Sequence, residues 1–436
     1  MTAFDLSLLP ASATVDANGR ASVGGCDLVE LAREFGTPLF VYDEEEIRAR
    51  ARAYRAHFGD GVAYASKAFL CTAMARLVRG EGLHIDVATG GELFVALHAG
   101  FPADRIVFHG NNKSERELRT ALDEGVGRIV VDSDAEIARL EALVAAGHRS
   151  PRVQVRVRPG VEAHTHEYIE TGTEDSKFGF GLDNGEALAA ARRIVDGGAL
   201  QLAGLHCHIG SHVFRLDSFT RAVEKMVGLV HAIEAETGAA LDELNLGGGL
   251  GVRYLPEDAP PTIDEYATTL QKAVGAALRE RNVRSEPQLM VEPGRSIVAP
   301  AGLTLYTVGT IKAIPNVRTY VAIDGGMSDN LRPVTYGARY EAFVPARATA
   351  ARPQVVTIAG KHCEQGDIVV RDATLPADLA LGDIIATPVT GAYGQAMSSN
   401  YNKVTRPAVV FVRDGNAQVV VRRETELDLV RLDVDA

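Results

Sequence analysis

No run of apolar residues in this 436-residue chain approaches the roughly 18–20 needed to cross a bilayer. The opening MTAFDLSLLPASA carries Asp5 and no basic stretch, so no secretory signal is expected. No Lys/Arg-rich block offsets a formal net charge of −12, which argues against a nucleic-acid partner. Cysteine is scarce: Cys26, Cys71, Cys207 and Cys363 are too few and too irregularly placed for a disulfide framework. Low-complexity tracts and long repeats are missing as well. What remains is ordinary for a globular α/β protein, 46% hydrophobic and 23% charged, and a cytoplasmic setting is expected.

One short unit recurs between residues 60 and 295: a few strand-like residues, then a polar or glycine-rich tip. The runs are VAYAS (62–66), HIDVA (84–88), RIVFHG (105–110), RIVVD (128–132), VQVRVRP (153–159), LAGLHCH (202–208), ELNLGGG (243–249) and QLMVEPG (288–294). Helical spacing fills most gaps, as in 92–100, 114–125 and 134–147, each ending at a glycine. A further helix is expected over 217–238 with Asp217 as its N-cap. Eight strands alternating with helices predict a (β/α)₈ barrel rather than an open sheet, because nearly every strand ends in chemistry. The tips offer Lys67, Asp86, His109, Asp132, Arg158, His208, a glycine cluster and Glu292.

After residue 300 the pattern changes to β-branched alternation with almost no helical period, and Asp414-Gly415 reads as a hairpin turn. The expected organisation is a barrel over 39–298 and an antiparallel β-sandwich or β-barrel-like domain over 299–436, which takes in residues 1–38. Residues 161–181 form a long polar stretch after the fifth strand and are a candidate mobile loop.

Two glycine-rich tips lie side by side, NLGGGLG (245–251) and EPGRS (292–296), where backbone N–H groups can converge on a phosphate. Lys67 beside such a site suits a lysine that holds an aldehyde cofactor, and pyridoxal phosphate has both the aldehyde and the phosphate. Its ring nitrogen needs a carboxylate, and Glu292 is placed for that. His206 and His208, with His164 and His166, leave a zinc site open as a weaker alternative. In the β-domain, Cys363 between His362 and Glu364 is either an ordinary turn residue or a proton donor.

Together YASKA, HIGSH, NLGGGLG, EPGRS, IDGGMSDNLRP, GKHCEQGD and GAYGQAMSSNYN, in that order, closely resemble the diaminopimelate decarboxylase family. This is a branch of the fold-type III, alanine-racemase-like pyridoxal-phosphate decarboxylases. The resemblance runs from about residue 20 to the C-terminus. It implies that Lys67 carries pyridoxal 5′-phosphate and His208 stacks on its ring, with Glu292 at the ring nitrogen and Asp86 nearby. Ser211, Gly248, Gly249, Gly294 and Tyr393 are implied at the phosphate. Arg295, Arg332 and Tyr336 would hold the substrate's far carboxylate, with Tyr393 alongside, and Glu364 its far ammonium; Cys363 would be the general acid. No metal is implied. The resemblance further implies a homodimer whose sites share Cys363 and Glu364, and decarboxylation of meso-2,6-diaminopimelate to L-lysine, the last step of lysine biosynthesis. Related enzymes that decarboxylate ornithine, lysine or arginine share much of this set. An amino-acid racemase or a non-catalytic cofactor carrier fits less well, since Glu292 and the Cys363-Glu364 loop go unexplained.

Overall fold

A computed structural model describes residues 3–161 and 176–434. The chain divides into two compact units: Arg50–Gly251 with Pro260–Arg295, and Met1–Ala49 with Val252–Ala259 and Ser296–Ala436.

The first unit is the barrel. Its parallel strands run in chain order: Ala63–Ala65, His84–Val87, Ile106–Phe108, Arg128–Val131, Arg152–Arg158, Gln201–Cys207, Glu243–Asn245 and Gln288–Met290. A parallel bridge between Val62 and Val291 joins the eighth strand to the first, with Ala63 N–H donating to the Val291 carbonyl at 2.9 Å. Ala63, Val107, Val130 and Met290 fill one part of the interior, so the barrel is a packed core rather than a pore.

Local sequence accounts for the outer helices. Glu115–Glu124 opens on a reciprocal capping box of Ser114 with Glu117 and stops at Gly125, whose φ of 74° is left-handed. The helix expected at 217–238 spans Leu216–Thr237, and its N-cap is Arg215 rather than Asp217. Asp217 lies in the first turn, where a carboxylate also meets the positive helix end, and pairs with Arg215 at 2.8 Å. His164, His166 and most of the candidate loop lie outside the described residues. Of that loop, Phe180–Gly181 pairs in parallel with the fifth strand.

The second unit contains a sheet in the order Ile368–Leu375, Gln354–Ala359, Arg318–Ile323, Gly302–Ile314, Leu39–Asp43, Ala408–Arg413 and Asn416–Val421; Ile384–Pro388 branches from Gly302–Ile314. The sheet is mostly antiparallel, as expected, with two parallel pairings, Arg318–Ile323 with Gln354–Ala359 and Leu39–Asp43 with Ala408–Arg413. Leu39–Asp43, whose sequence reads as the barrel's start, lies in this sheet between Gly302–Ile314 and Ala408–Arg413. All five of its side chains are buried, so it has no polar face to mark which sheet it joins. The Asp414-Gly415 hairpin forms as expected, with both residues at positive φ. Phe4, Leu8, Val23 and Leu28 share one core with Leu303, Phe343 and Val410, which ties the N-terminal segment to this unit.

Candidate active site

The barrel interior carries a polar chain that ends at the tip of the eighth strand. Buried Gln154 donates to Glu243 at 2.7 Å, and Asn245 Nδ2 lies 3.2 Å from Gln154 Oε1. The same Asn245 nitrogen lies 2.7 Å from Glu292 Oε1. His109 donates Nε2–H to Glu292 Oε1 at 2.8 Å and His206 donates to Oε2 at 3.1 Å. Glu292 is 6% exposed. Burial alone would raise its pKa, but His109 and His206 overcome that and hold it well below the usual carboxylate range. Burial pushes His206 down to about 4, so it stays a neutral donor. An ionised carboxylate is thus fixed inside the barrel.

Lys67 follows the first strand in a short turn, Ser66–Ala68, and is exposed. Its charge acts on both Asp86 and His208. Burial, and then Lys67 among other charges, holds His208 well below its ordinary range. His208 Nδ1 accepts from Gly248 N–H at 3.2 Å. His206 and His208 therefore engage different partners, Glu292 and Gly248. Among the described residues, one group has metal-ligand spacing, His109, His206 and Glu292, and its atoms are already joined by hydrogen bonds.

The glycine-rich tips pack tightly. A Cβ on Gly248 would stand 2.3 Å from the Glu292 carbonyl, and one on Gly249 would stand 2.5 Å from the Gly210 carbonyl. Neither position accepts a side chain without backbone movement. Val213 N–H donates to the Gly249 carbonyl at 2.8 Å, joining the loops after the sixth and seventh strands. Arg295, 5% exposed, donates to Ser211 Oγ at 2.8 Å. Ser211, Gly248, Gly249, Gly294 and Arg295 thus occupy adjoining strand ends.

Asp86 is the group whose titration matters most here. Burial raises its pKa to about 7 from 3.8, with Glu292 adding and His109 and Lys67 opposing. A raised carboxylate pKa means the folded state holds a proton that the unfolded chain gives up. That contribution is present below pH 3.8 and is lost as pH rises through about 7. Without cofactor, Asp86→Asn is therefore expected to stabilise the protein above pH 7, by on the order of a few kcal/mol, and less at pH 5. Thermal melting across pH checks this; equal shifts at both pH values would contradict it.

In the second unit, Arg332 begins the short helix Arg332–Tyr336, which stops at Gly337. Its guanidinium, 5% exposed, donates to Tyr340 Oη and lies over the Tyr254 ring at 4.8 Å. Tyr393 also acts on it electrostatically. Tyr393 and nearby Val389 hold φ of 63° and 61°, uncommon strain for a bulky and a β-branched residue. Tyr336 is half-buried. Cys363 and Glu364 sit exposed in the loop between Gln354–Ala359 and Ile368–Leu375.

A sequence model of the family described as "Pyridoxal-dependent decarboxylase, pyridoxal binding domain" matches residues 44–299. The diaminopimelate decarboxylase of Mycobacterium tuberculosis is 48% identical over 98% of this chain and 97% of its own. The chain belongs to the diaminopimelate decarboxylase family. The Bacillus subtilis member is also 48% identical, over 96% of each chain. The structure of the M. jannaschii diaminopimelate decarboxylase in complex with L-lysine matches with a TM-score of 0.90, at 33% identity and 98% coverage of both chains. The expectations of a pyridoxal-phosphate carboxy-lyase and of a barrel joined to a β-domain are met.

The barrel residues fit that cofactor on their own terms. An ionised Glu292, a lysine at a strand end and glycine tips with a buried arginine match its ring nitrogen, aldehyde and phosphate. Ser66 Oγ and His206 Nδ1 are buried here without a hydrogen-bond partner among the described residues. From the sequence, Asn245 has no role, His109 none beyond its place at a tip, and His206 only a part in the weaker zinc alternative. A polar residue in a strand otherwise rich in apolar side chains was the signal for all three.

Proposed function

We propose that this protein removes CO₂ from the D-centre of meso-2,6-diaminopimelate to give L-lysine, the last step of lysine biosynthesis, in the cytoplasm. The observation that carries the chemistry is Glu292, an anion held inside the barrel by His109, His206 and Asn245. Near-full-length likeness to diaminopimelate decarboxylases supports the substrate.

Pyridoxal phosphate, when bound, supplies an aldehyde for the substrate amine and a ring that takes up the electron pair left by departing CO₂. Lys67 is the residue that holds it covalently, His208 the one that stacks on it, and Glu292 keeps its ring nitrogen protonated. Asp86 is an active-site neighbour of the cofactor. Ser211, Gly248, Gly249, Gly294 and Tyr393 take the phosphate, with Arg295 beside them. Arg332, Tyr336 and Arg295 hold the substrate's far carboxylate, with Tyr393 alongside. A guanidinium suits a planar carboxylate because it offers paired donors. Glu364 binds the far ammonium. Cys363 delivers a proton to the carbon that has lost CO₂.

Purified holoenzyme is expected to release CO₂ from meso-diaminopimelate at least about 100-fold faster than from L-lysine, L-ornithine or L-arginine, as ligation of both far groups requires. Faster release from one of those three would move the function to a basic amino-acid decarboxylase.

The working assembly is a two-fold homodimer in which each site takes Cys363 and Glu364 from the other subunit. Mixing inactive Lys67→Ala dimers with slowed Cys363→Ala dimers is then expected to restore about a quarter of wild-type activity on random exchange. No recovery after verified exchange would mean a self-contained site.

A further inference from the structure

The loop that presents Cys363 and Glu364 is held at both ends by buried residues, His362 and Asp367. His362 is 7% exposed, whereas Lys361 and residues 363–366 around it are exposed. Its ring lies between two other loops. Nε2 is 2.8 Å from Ser328 Oγ, in the loop that follows Arg318–Ile323, and Nδ1 is 3.3 Å from Asn402 Oδ1. Tyr401 stacks on the same ring at 5.5 Å.

Asn402 fixes the chemistry of this contact. The Cys363 backbone N–H donates to Asn402 Oδ1 at 3.0 Å, and a backbone N–H can only donate. The atom facing it is therefore the amide oxygen, so the His362 Nδ1 beside that oxygen carries hydrogen and donates too. Asn402 reaches this position with φ of 52°, and Lys403 follows at 56°. Two successive non-glycine residues in left-handed backbone cost energy that the surrounding contacts must offset.

Asp367 closes the loop from its other end. Its carboxylate accepts from His362 N–H at 2.9 Å and from Met327 N–H at 2.6 Å. Ser399 N–H donates to the Ser328 carbonyl at 2.9 Å, linking the two loops that His362 touches. The one exposed thiol among the described residues thus sits on a backbone restrained from both sides.

We propose that His362 is a positioning residue for Cys363: tied to Asn402 and Ser328, it fixes the backbone from which the thiol projects. This rests on the reading of Cys363 as proton donor. A proton transfer to carbon tolerates little misplacement of the donor, and a shift of about 1 Å can cost about 100-fold in rate.

The test uses holoenzyme carrying His362→Phe, which keeps a ring against Tyr401 but removes both nitrogens, and His362→Asn, which restores an amide donor near Nδ1. His362→Phe is expected to lower kcat about 10-fold or more with the visible absorbance of bound cofactor intact, and His362→Asn to recover part of it. In a Cys363→Ala background His362→Phe should slow turnover by no more than about twofold further, because the two act as one unit. Wild-type kcat in His362→Phe, or losses that multiply in the double variant, would overturn the proposal. If His362→Phe fails to hold cofactor, Asn402→Ala replaces it in the same cycle and is read the same way.

Should Cys363→Ala itself turn over like wild type, the proton-donor reading falls while positioning is still measurable. Iodoacetamide labelling of Cys363, followed by mass spectrometry, is then compared between wild type and His362→Phe. A change of about threefold or more, as expected when a restrained thiol is released, upholds the proposal, and an unchanged rate overturns it.

Discussion

Lys67→Ala is expected to abolish the visible absorbance of bound cofactor and to lower CO₂ release by on the order of 10⁴-fold or more, the scale seen when a covalent catalytic group is removed. Lys67 and Lys113 both follow barrel strands, and the structure separates their roles. Lys113 is buried, pairs with Glu136 at 2.7 Å and donates to the Gly110 and Val130 carbonyls, so its ammonium is consumed in holding the barrel. Lys67 is exposed and sits where Asp86 and His208 feel its charge. An unchanged spectrum in Lys67→Ala would remove Lys67 from the mechanism and turn attention to Lys113.

Glu292→Gln is the second large effect. The carboxylate receives hydrogen bonds from His109, His206 and Asn245, and all three are donors. An amide keeps the shape but turns one oxygen into an NH₂ that must face a donor. It also removes the negative charge that favours a protonated ring nitrogen. The loss in kcat is expected to be about 10²–10³-fold, typical for deleting a preorganised electrostatic partner, with cofactor still bound. Steady-state rates at matched cofactor absorbance decide this. A loss within about threefold would mean that charge at this position is not used.

Much of this architecture was legible in the sequence because parallel barrel strands mark themselves. Each is a short apolar run that must end where the active face begins, and so Lys67, Asp86, His208 and Glu292 could be read off as tips. The glycine positions were legible for a similar reason, since Gly248 and Gly249 have no room for a Cβ. The polar chain from Glu243 through Gln154 and Asn245 to Glu292 was not legible. Its members lie on three strands, and their register across the barrel is set by closure, which no local spacing reports. Leu39–Asp43 misled in a simpler way: a fully buried five-residue strand carries no mark of the sheet it will join. In the second unit the motif around Tyr393 was recognisable, but the left-handed backbone at Tyr393, Val389 and Asn402 was hidden because these are not glycines.

The central claim is the identity of the reaction, and running it in D₂O tests substrate, product and reacting centre together. Holoenzyme with meso-diaminopimelate should yield L-lysine carrying one non-exchangeable deuterium on the ε-carbon, the former D-centre, as shown by mass spectrometry and NMR. Lysine that carries deuterium at its α-carbon instead, or no lysine from fully loaded enzyme, would contradict the account.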